Sequence, residues 1–544
     1  MAHDPSAGFV SMRKDIETDI VIVGSGPVGA ATAWRLAAVG LSPLIIEKGP
    51  VFDAGSLERD RADWELRRAR ELSSNPNIRR APFDDPVDDH DTPIKPMFAH
   101  GTGGTSFHWS AHVPRFRPED FRVRSLDGVA RDWPISWHDL SPHYELAEER
   151  WGTAFFPGDP SGGPKQGRAK PLPTIGGHGR RFARTFDAMG WHWWPVDLVV
   201  GREADDIKTR HCTHIGPCDL GCPSRVRSSS NHAFLEDALH LGARLISETR
   251  VIKVETDRMG RADALLCRSG VDEFRVRARH FVLAANGSST PRLLLLSRNA
   301  RYPNGLANGS GLVGRGLMLH PYAKVDALFD EPLGSWVSGE KAGLISLEFL
   351  QTRAERGFKR GVKLQLVTGP PPVALAEGVV TGARLSWGAA HHAGFEARFD
   401  RICGFTVCAE DLPEDDNRIT LSDTVKDQDG LPVAKWIYRV GDNARKALDF
   451  GLDRATDVLK RAGGGEIFRT SLRDQAGFHI MGTARMGDDP AKSVVDAHGR
   501  CHDVENLWIV DSSVFVTSSA LNPTLTAQAF ALRAADALAA SLRR

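Results

Sequence analysis

The sequence predicts an α/β protein of more than one domain, and three observations support this. The chain has 544 residues, of which 41% are hydrophobic and 25% charged. This length exceeds one simple core, and the composition is that of a soluble globular protein. A strand–turn–helix–strand pattern occupies residues 18–50, and apolar strand-like runs followed by turns recur at 281–297 and 506–542. Strands that alternate with turns and helices in this way are typical of an α/β protein.

Charge, hydropathy and cysteine content exclude several classes of protein. Lys+Arg and Asp+Glu balance at 69 each, so charge gives no reason to expect nucleic acid or an anionic membrane as partner. No stretch approaches the roughly 18 to 20 apolar residues of a membrane helix, and the N-terminal residues lack the apolar core of a secretory signal. Seven cysteines argue against an extracellular disulfide framework. We expect a cytoplasmic protein by default, or a periplasmic one if a signal-bearing partner exports it.

The first element is "TDIVIVGSGPVGAATAWRLAAVGLSPLIIEKGP", which predicts one βαβ unit. A β-branched strand is expected over 19–23, an alanine-rich helix over 30–39 and a second strand over 43–46. Gly24 permits a tight turn, Gly26 lets a pyrophosphate approach the backbone, and Gly29 lets helix and strand pack closely. Glu47 ends the second strand, where an acid accepts hydrogen bonds from a ribose. The unit predicts a dinucleotide site without deciding between FAD and NAD.

The later segments each predict a local structure. "HGTGGTSFHWSAHVPRF" (100–116) is a second glycine cluster with aromatic residues. "FVLAANGSSTPRLLLLS" (281–297) predicts a strand, a turn and a helix that opens at Thr290-Pro291, because proline favours the first helical position. "LVGRGLMLHP" (312–321) predicts a short turn, and "GFHIMGTARMG" (477–487) follows later. In 506–542, a buried strand ends at Asp511 and Pro523 opens a long helix.

Taken together and in this order, these segments resemble the glucose-methanol-choline (GMC) family of FAD oxidoreductases. The resemblance implies a Rossmann-like FAD domain built from discontinuous stretches and an α+β substrate domain with an antiparallel sheet. We expect the FAD domain in 15–60, 95–135, 205–320 and 471–544, and the substrate domain in 136–204 and 321–470, including "NRITLSD" (417–423).

The same resemblance implies the chemistry. The family removes a proton from an alcohol while the alcohol carbon donates a hydride to the flavin. His479 matches the catalytic histidine, and a histidine suits a base because its unperturbed pKa is about 6.5. Asn522 matches a second position that is His in some members and Asn in others. Because an amide takes no proton, we expect His479 to be the base and Asn522 to hold the substrate oxygen.

Further cofactor contacts are expected from both glycine clusters and from the C-terminal helix. The N-terminus of that helix is expected to face the pyrimidine end of the flavin and to stabilise negative charge there. His108 occupies the position at which pyranose oxidases attach the flavin covalently, and both a covalent bond and a simple contact stay open here. The expected contacts beyond Gly24, Gly26, Gly29 and Glu47 are Gly103, Gly104, Thr105, His108, Val251, Asp511 and Thr524.

A cysteine-rich loop, "HCTHIGPCDLGCPSRVR" (211–227), has no place in the flavin chemistry itself. Cys212, Cys218 and Cys222 are spaced C-x5-C-x3-C with a proline after the last, which differs from the paired spacing of structural zinc. The loop resembles that of bacterial FAD-dependent glucose and fructose dehydrogenases, in which three cysteines hold a 3Fe-4S cluster. A zinc site completed by His211 or His214, a disulfide, or a loop without a metal remain alternatives.

The sequence thus predicts an FAD-dependent dehydrogenase of a sugar or glycoside. We expect its electrons to pass through an iron–sulfur cluster to an acceptor protein such as a cytochrome, with a small chaperone-like subunit as a further partner. Nucleic acid and direct membrane insertion are not expected. Two alternatives share the fold: an oxidase that passes electrons from a sugar or another alcohol, aromatic ones included, to oxygen, and a lyase acting on cyanohydrins. The sugar and the carbon oxidised are not specified by any motif.

Overall fold

The computed structural model describes residues 15–52, 63–162, 165, 175–199, 222, 227–335, 343–378 and 385–543. The strands in chain order are β1 Ile16–Val23, β2 Leu44–Ile46, β3 Asp88–Asp91, β4 Thr153–Ala154, β5 Trp194–Pro195, β6 Leu198–Val199, β7 Arg244–Ile246, β8 Arg250–Thr256, β9 Ala262–Ser269, β10 Asp272–Leu283, β11 Tyr322–Leu328, β12 Leu344–Phe349, β13 Val362–Val367, β14 Ile402–Ala409, β15 Arg418–Lys426, β16 Pro432–Ile437, β17 Ile467–Thr470 and β18 Leu507–Ile509.

The α-helices lie between and after these strands. In chain order they are α1 Pro27–Ala38, α2 Trp64–Arg68, α3 Pro76–Arg79, α4 Val123–Asp127, α5 Trp137–Trp151, α6 Gly176–Met189, α7 Glu236–His240, α8 Asn286–Leu296, α9 Pro372–Ala376, α10 Ala390–Glu396, α11 Asp442–Arg461 and α12 Thr524–Leu542.

The first sheet has the order β7-β2-β1-β10-β9-β8, with β18 also paired to β10. The pairs among β7, β2, β1, β10 and β18 are parallel, whereas β9 and β8 continue the sheet in antiparallel fashion. The βαβ unit is confirmed, with β1, α1 and β2 each within three residues of the predicted bounds. The α/β class predicted from the sequence is therefore confirmed.

The second sheet is antiparallel and has the order β17-β11-β14-β13-β12-β5. One of its faces packs against helices: the ring of Phe405 in β14 lies 5.2 Å from that of Phe182 in α6, edge to face. Gly451 of α11 lies so close to Val407 of β14 that a Cβ there would meet it at 2.4 Å. The opposite face carries Lys363, whose side chain contacts Asn522. This second face borders the candidate site.

The strand at "NRITLSD" lies in a third, smaller sheet. Here β15 pairs with β16 and, through it, with β3 in a separate three-stranded sheet. Two contacts explain this position. Ser422 donates to Asp88 of β3 at 2.7 Å, and Trp436 of β16 donates to Ser288 at 2.9 Å, which ties the small sheet to α8.

Helix α8 begins at Asn286, five residues before Pro291, which was expected to open it and lies inside it. Oδ1 of Asn286 accepts the backbone N–H groups of Ser288 and Ser289, which occupies two otherwise free donors of the first turn. Pro291 has no N–H for the carbonyl of Gly287, four residues earlier. The hydroxyl of Thr483 donates to that carbonyl at 2.7 Å instead. A long-range contact thus makes the internal proline tolerable.

No helix in the described part of the chain combines the length and apolar character needed to cross a membrane.

Candidate active site

A cleft opens where the parallel strands of the first sheet end. The residues that follow the carboxyl ends of β1, β2, β10 and β18 line it, among them Gly24, Glu47, Ala284 and Asp511. Ligands of open α/β sheets bind at this edge. The cleft contains about 1400 Å³ of space, part of it open to solvent.

Close packing around the turn after β1 leaves no room for a side chain at two of its glycines. Gly24 has φ of +98°, and a Cβ there would lie 2.6 Å from the carbonyl oxygen of Ala284. A Cβ on Gly29 would lie 2.0 Å from the carbonyl oxygen of Gly24, so the glycine allows α1 to pack closely against the turn. Gly29 is not among the described residues that line the cleft. Gly26 faces open space, with Gly104 Cα 4.0 Å from its ideal Cβ position. The backbone at Gly26 is therefore accessible to a pyrophosphate.

The second glycine cluster lies opposite this turn. Gly104 and Thr105 line the cleft and begin a 3₁₀ turn over Gly104–Phe107. Gly103 packs behind, where a Cβ would meet the ring of Phe107 at 2.5 Å. His108 follows the turn and is half-buried. It is not among the described residues that line the cleft.

Glu47 is buried, and its carboxylate accepts four hydrogen bonds from the protein. The backbone N–H and the hydroxyl of Ser25 donate to Oε2 at 2.9 and 2.7 Å, and the N–H groups of Gly49 and Gly101 donate to Oε1 at 2.9 and 3.1 Å. These bonds match the lone-pair capacity of a carboxylate. Glu47 thereby joins the first glycine turn to the second glycine loop, and a ribose would share or replace some of these donors.

The remainder of the cleft connects the glycine turn to the C-terminal helix. Val251 of β8 lines one end, and His479, Pro523 and Thr524 line the other. Helix α12 starts at Thr524 with no acidic residue in its first turn, so its positive end is not neutralised locally. A cleft that runs from a glycine turn to a buried histidine, with an open backbone at Gly26, fits an FAD molecule. FAD would supply the hydride acceptor at the His479 end.

His479 is paired with a second histidine that the sequence did not single out. Nδ1 of His479 lies 2.9 Å from Nδ1 of His320, and both side chains are buried. Burial is the main cause that lowers the pKa of both rings, to about 4 for His320 and well below the usual value for His479. Neutral imidazoles at ordinary pH are therefore expected.

The partners of His320 determine which nitrogen of His479 carries a proton. Nε2 of His320 lies 3.0 Å from the carbonyl oxygen of Ser518 and 2.8 Å from that of Ser519. Carbonyls only accept, so Nε2 carries the proton and Nδ1 of neutral His320 accepts. His479 must then donate from Nδ1, which leaves its Nε2 unprotonated. This tautomer is the one that a general base requires.

Asn522 precedes α12 and also has a partner that the sequence did not predict. Its Oδ1 accepts a 2.6 Å hydrogen bond from Nζ of Lys363, a fully buried residue of β13. Positive charge at Lys363 also contributes to the lowered pKa of His479. Both predicted catalytic residues therefore lie near Lys363.

Asp411 connects the segments that hold His320. Its Oδ2 accepts from the backbone N–H of Leu319 and the hydroxyl of Tyr438, and its backbone exchanges hydrogen bonds with the hydroxyl of Ser518. His320 has φ of +53°, an unfavourable conformation for a residue with a Cβ. The bonds on either side of His320 stabilise that conformation.

The cysteine prediction falls mostly outside the described residues. Cys212 and Cys218 lie there, and Cys222 is half-buried. Within the described ranges, no three His, Cys, Asp or Glu side chains form a group able to hold a metal ion. Cys403 and Cys408 are buried in β14 and belong to the core.

His320 and Lys363 had only weak sequence signals. His320 ends the segment "LVGRGLMLHP", and Lys363 interrupts the apolar strand "VKLQLV". A lysine in a buried strand needs a partner, but both contacts span 159 residues of sequence. The local sequence around His320 and Lys363 therefore does not reveal which residues they contact.

Comparisons with known proteins agree with this geometry. Residues 199–322 and 413–531 match the two family profiles described as GMC oxidoreductase, and residues 22–80 match an NAD(P)-binding Rossmann-like domain. The chain is 33% identical to 2-methyl-1,2-propanediol dehydrogenase of Mycolicibacterium austroafricanum, over 96% of this chain and 95% of that protein. It is 31% identical to the fructose dehydrogenase large subunit of Gluconobacter japonicus, over 98% and 99% respectively.

A solved structure shows the same fold. Pyridoxine 4-oxidase from Mesorbium loti superposes with a TM-score of 0.64 at 16% identity, over 96% of this chain and 99% of that one. The resemblance noted in the sequence is thus confirmed over nearly the whole chain. The chain belongs to the GMC oxidoreductases, a family of FAD-dependent enzymes.

Proposed function

We propose that the protein is an FAD-dependent dehydrogenase that oxidises a hydroxyl-bearing carbon of a sugar or related polyol. The observation that carries this proposal is the 2.9 Å contact between His320 and His479, which leaves Nε2 of His479 available as a base at the end of the cleft.

FAD, when bound, supplies the hydride acceptor. Nε2 of His479 would take the hydroxyl proton of the substrate as its carbon is oxidised to a carbonyl. The amide of Asn522 donates to the substrate oxygen and holds it in place, because Oδ1 is already occupied by Lys363. Burial of both catalytic side chains keeps water from competing for these contacts.

The face of the six-stranded sheet that borders the site is polar. Side chains of alternate residues share a face, and strand register places neighbours side by side. Nearest His479 and Asn522 is the row Tyr322, Cys408 and Lys363, and the next row is Lys324, Thr406 and Gln365. Each row lies about 7 Å from the next along a strand, which is the scale of a sugar ring.

Two buried acceptors on this face lack a partner among the described residues. They are Oε1 of Gln365 and Oδ1 of Asp326, while Oδ2 of Asp326 pairs with Lys324 at 2.9 Å. Buried polar atoms without partners are rare in folded proteins. An unpaired acceptor at Gln365, one row from Lys363 on the same face, favours a ligand with several hydroxyl donors over an aromatic alcohol. The diol and sugar named for the two relatives are consistent with this class.

For the exit of electrons, we propose a 3Fe-4S cluster held by Cys212, Cys218 and Cys222. The spacing of the three thiols and the similarity to the fructose dehydrogenase large subunit support it. The chain just after the loop contacts the second glycine cluster. Ser230 N–H donates to Ser106 at 3.0 Å, and Trp109 Nε1 donates to the carbonyl of Ser228 at 3.3 Å. The described residues that follow Cys222 thus pack against the second glycine cluster, part of which lines the cofactor cleft. The acceptor protein would then receive electrons one at a time.

A substrate panel tests the proposal. Sugars, polyols and aromatic alcohols are offered with an artificial one-electron acceptor, and iron and acid-labile sulfide are measured in the same anaerobically prepared protein. Turnover of a polyol, with iron and sulfide lost in Cys222→Ser, supports the proposal. Peroxide formation in air without iron or sulfide indicates an oxidase, and cyanohydrin cleavage without flavin bleaching indicates a lyase.

A further inference from the structure

Lys363 is a lysine buried where a charge is costly. It lies in β13 and is 1% exposed, and its ammonium has one hydrogen-bond partner within the described part of the chain, Oδ1 of Asn522 at 2.6 Å. An ammonium has three donors, and a buried charge without a carboxylate partner destabilises a fold. A lysine buried under these conditions points to a role in the site.

The contact determines the orientation of the Asn522 amide. A lysine ammonium can only donate, so it must meet the amide oxygen, and Nδ2 of Asn522 must point away from Lys363. No carboxylate competes for Lys363 among the described residues. The free amide N–H groups are thereby available to an oxygen on the far side of Asn522.

The surroundings of Lys363 are neutral or cationic. Cys408 of β14 pairs with Lys363 in the sheet register and is in turn contacted by Tyr322 of β11. His320 and His479 face it from the neighbouring loops, and Lys363 lowers the pKa of both. Burial lowers the pKa of Lys363 itself. The electrostatic effect of Lys363 is thus directed at the catalytic histidine pair.

We propose that Lys363 is a positioning residue of the oxidation step, which acts through Asn522. It orients the amide toward the substrate oxygen and places a positive charge behind that amide. When His479 removes the hydroxyl proton, negative charge develops on the oxygen, and a polarised amide N–H stabilises it. Lys363 forms and breaks no covalent bond: the proton goes to His479, the hydride to FAD, and the carbonyl product leaves. This inference rests on the proposed function.

The main variant is Lys363→Met, which keeps the length of the side chain and removes its charge and donors. The rate of anaerobic flavin bleaching by substrate is expected to fall roughly tenfold to hundredfold, with KM changed less than about threefold. Lys359→Met is the matched control, because Lys359 is exposed four residues earlier and is expected to leave the rate unchanged. FAD content and the unfolding temperature of both variants are measured in parallel.

Two further readouts separate positioning from a structural role. In wild type, loss of the proton from Lys363 is expected to give an alkaline decline in rate, and Lys363→Met is expected to lack it. The acid limb of Lys363→Met is expected to move to higher pH, because a cation that lowers the pKa of His479 is gone. In Lys363→Ala, a small alkylamine is expected to restore part of the rate in a saturable manner.

Several outcomes overturn the inference. A Lys363→Met protein with the rate and pH profile of Lys359→Met contradicts it, as does loss of FAD from both Lys363→Met and Lys363→Gln, which would assign a structural role. If no alcohol bleaches the flavin of wild type, the proposed function fails and the inference with it. If wild type is bleached and Lys363→Met is bleached equally fast, only the inference fails.

Discussion

Nδ1 of His320 and Nδ1 of His479 lie 2.9 Å apart, and this contact sets the tautomer of the catalytic base. Because two backbone carbonyls occupy Nε2 of His320, its Nδ1 must accept, and His479 must donate from Nδ1. The hydrogen bond therefore directs the free lone pair of His479 into the site. A residue outside the predicted catalytic pair thus controls the chemistry of one member.

The contact predicts different effects for two amide substitutions at His320. Asn places its amide near the position of Nδ1 and tolerates the left-handed backbone at residue 320, whereas Gln places its amide near Nε2. His320→Asn is expected to lose about tenfold in rate and His320→Gln about a hundredfold, by analogy with the loss of an orienting group. Anaerobic flavin bleaching by substrate measures both.

The two variants serve as controls for each other. Equal FAD content is required before the rates are compared. A His320→Gln protein as fast as His320→Asn would show that the tautomer of His479 is set by another group.

The pH dependence of the reaction follows from the pKa of His479. His479 must be neutral to accept a proton, and burial beside His320 and Lys363 lowers its pKa well below 6.5. The value of kcat/KM is therefore expected to stay level from neutral pH to well below 6.5 and to fall only in more acidic solution. Steady-state rates measured across this range check it, and a decline that begins above pH 6.5 would contradict the neutral, buried base.

Asp511 is expected to hold the N-terminus of α8 beside the cleft. Its carboxylate accepts from the backbone N–H groups of Asn286 and Ser513 and from the hydroxyl of Thr290. Asp511→Ala leaves all three donors unpaired and is expected to cost about 3 to 5 kcal/mol of unfolding free energy, with loss of FAD. Asp511→Asn keeps one oxygen and is expected to lose less. Chemical unfolding and FAD content report the order, and equal stability of the two variants would contradict it.

The buried carboxyl of Asp411 is expected to make the stability of the protein depend on pH. Burial raises the pKa of Asp411 in the folded protein to about 7. Between the ordinary pKa of an aspartate and about pH 7, the folded protein therefore holds a proton on Asp411 that the unfolded chain has lost. Stability from this group therefore falls as pH rises through that interval. Oδ2 alone accepts its two partners, so an amide oxygen can replace it.

Asp411→Asn is accordingly expected to be more stable than wild type at about pH 8, with the difference vanishing near pH 4 to 5. Thermal unfolding at both pH values measures the difference. Asp416→Asn, at an exposed position, is the control and is expected to show no such trend. A destabilised Asp411→Asn protein at about pH 8 would indicate that the carboxylate is ionised and needed there.

Gln365 tests the polar face of the sheet. Its side-chain oxygen is buried and unpaired among the described residues. Gln365→Leu is expected to raise KM for a polyol roughly tenfold, because a buried hydrogen bond to the substrate is lost, and to change KM for a monohydroxyl alcohol far less. Gln351→Leu, at an exposed position, is the control. An equal change for both substrates would place the second hydroxyl elsewhere.

The sequence predicted those features that depend on local pattern. The strand–turn–helix–strand unit around Gly24, Gly26 and Gly29 and the start of α12 after Pro523 were found where expected, because strand residues, glycine turns and helix-opening prolines act on their neighbours. The positions of His479 and Asn522 came from the family resemblance, and both lie in the candidate site.

The errors occurred where distant residues override local preference. Pro291 was expected to open a helix, yet the hydroxyl of Thr483 occupies the carbonyl that this proline leaves without a donor. The three-stranded sheet of β3, β15 and β16 was not predicted, because Ser422 and Trp436 bind residues far away in sequence. His320 and Lys363 were missed for the same reason.

The most direct test of the central claim is anaerobic mixing of the FAD-loaded protein with a polyol panel, with wild type and His479→Ala compared side by side. Loss of visible flavin absorbance in wild type, and a rate at least about a thousandfold lower in His479→Ala at equal FAD content, is the predicted result. Bleaching at similar rates in both proteins would contradict His479 as the base. Absence of bleaching in wild type with every alcohol would contradict the proposed function.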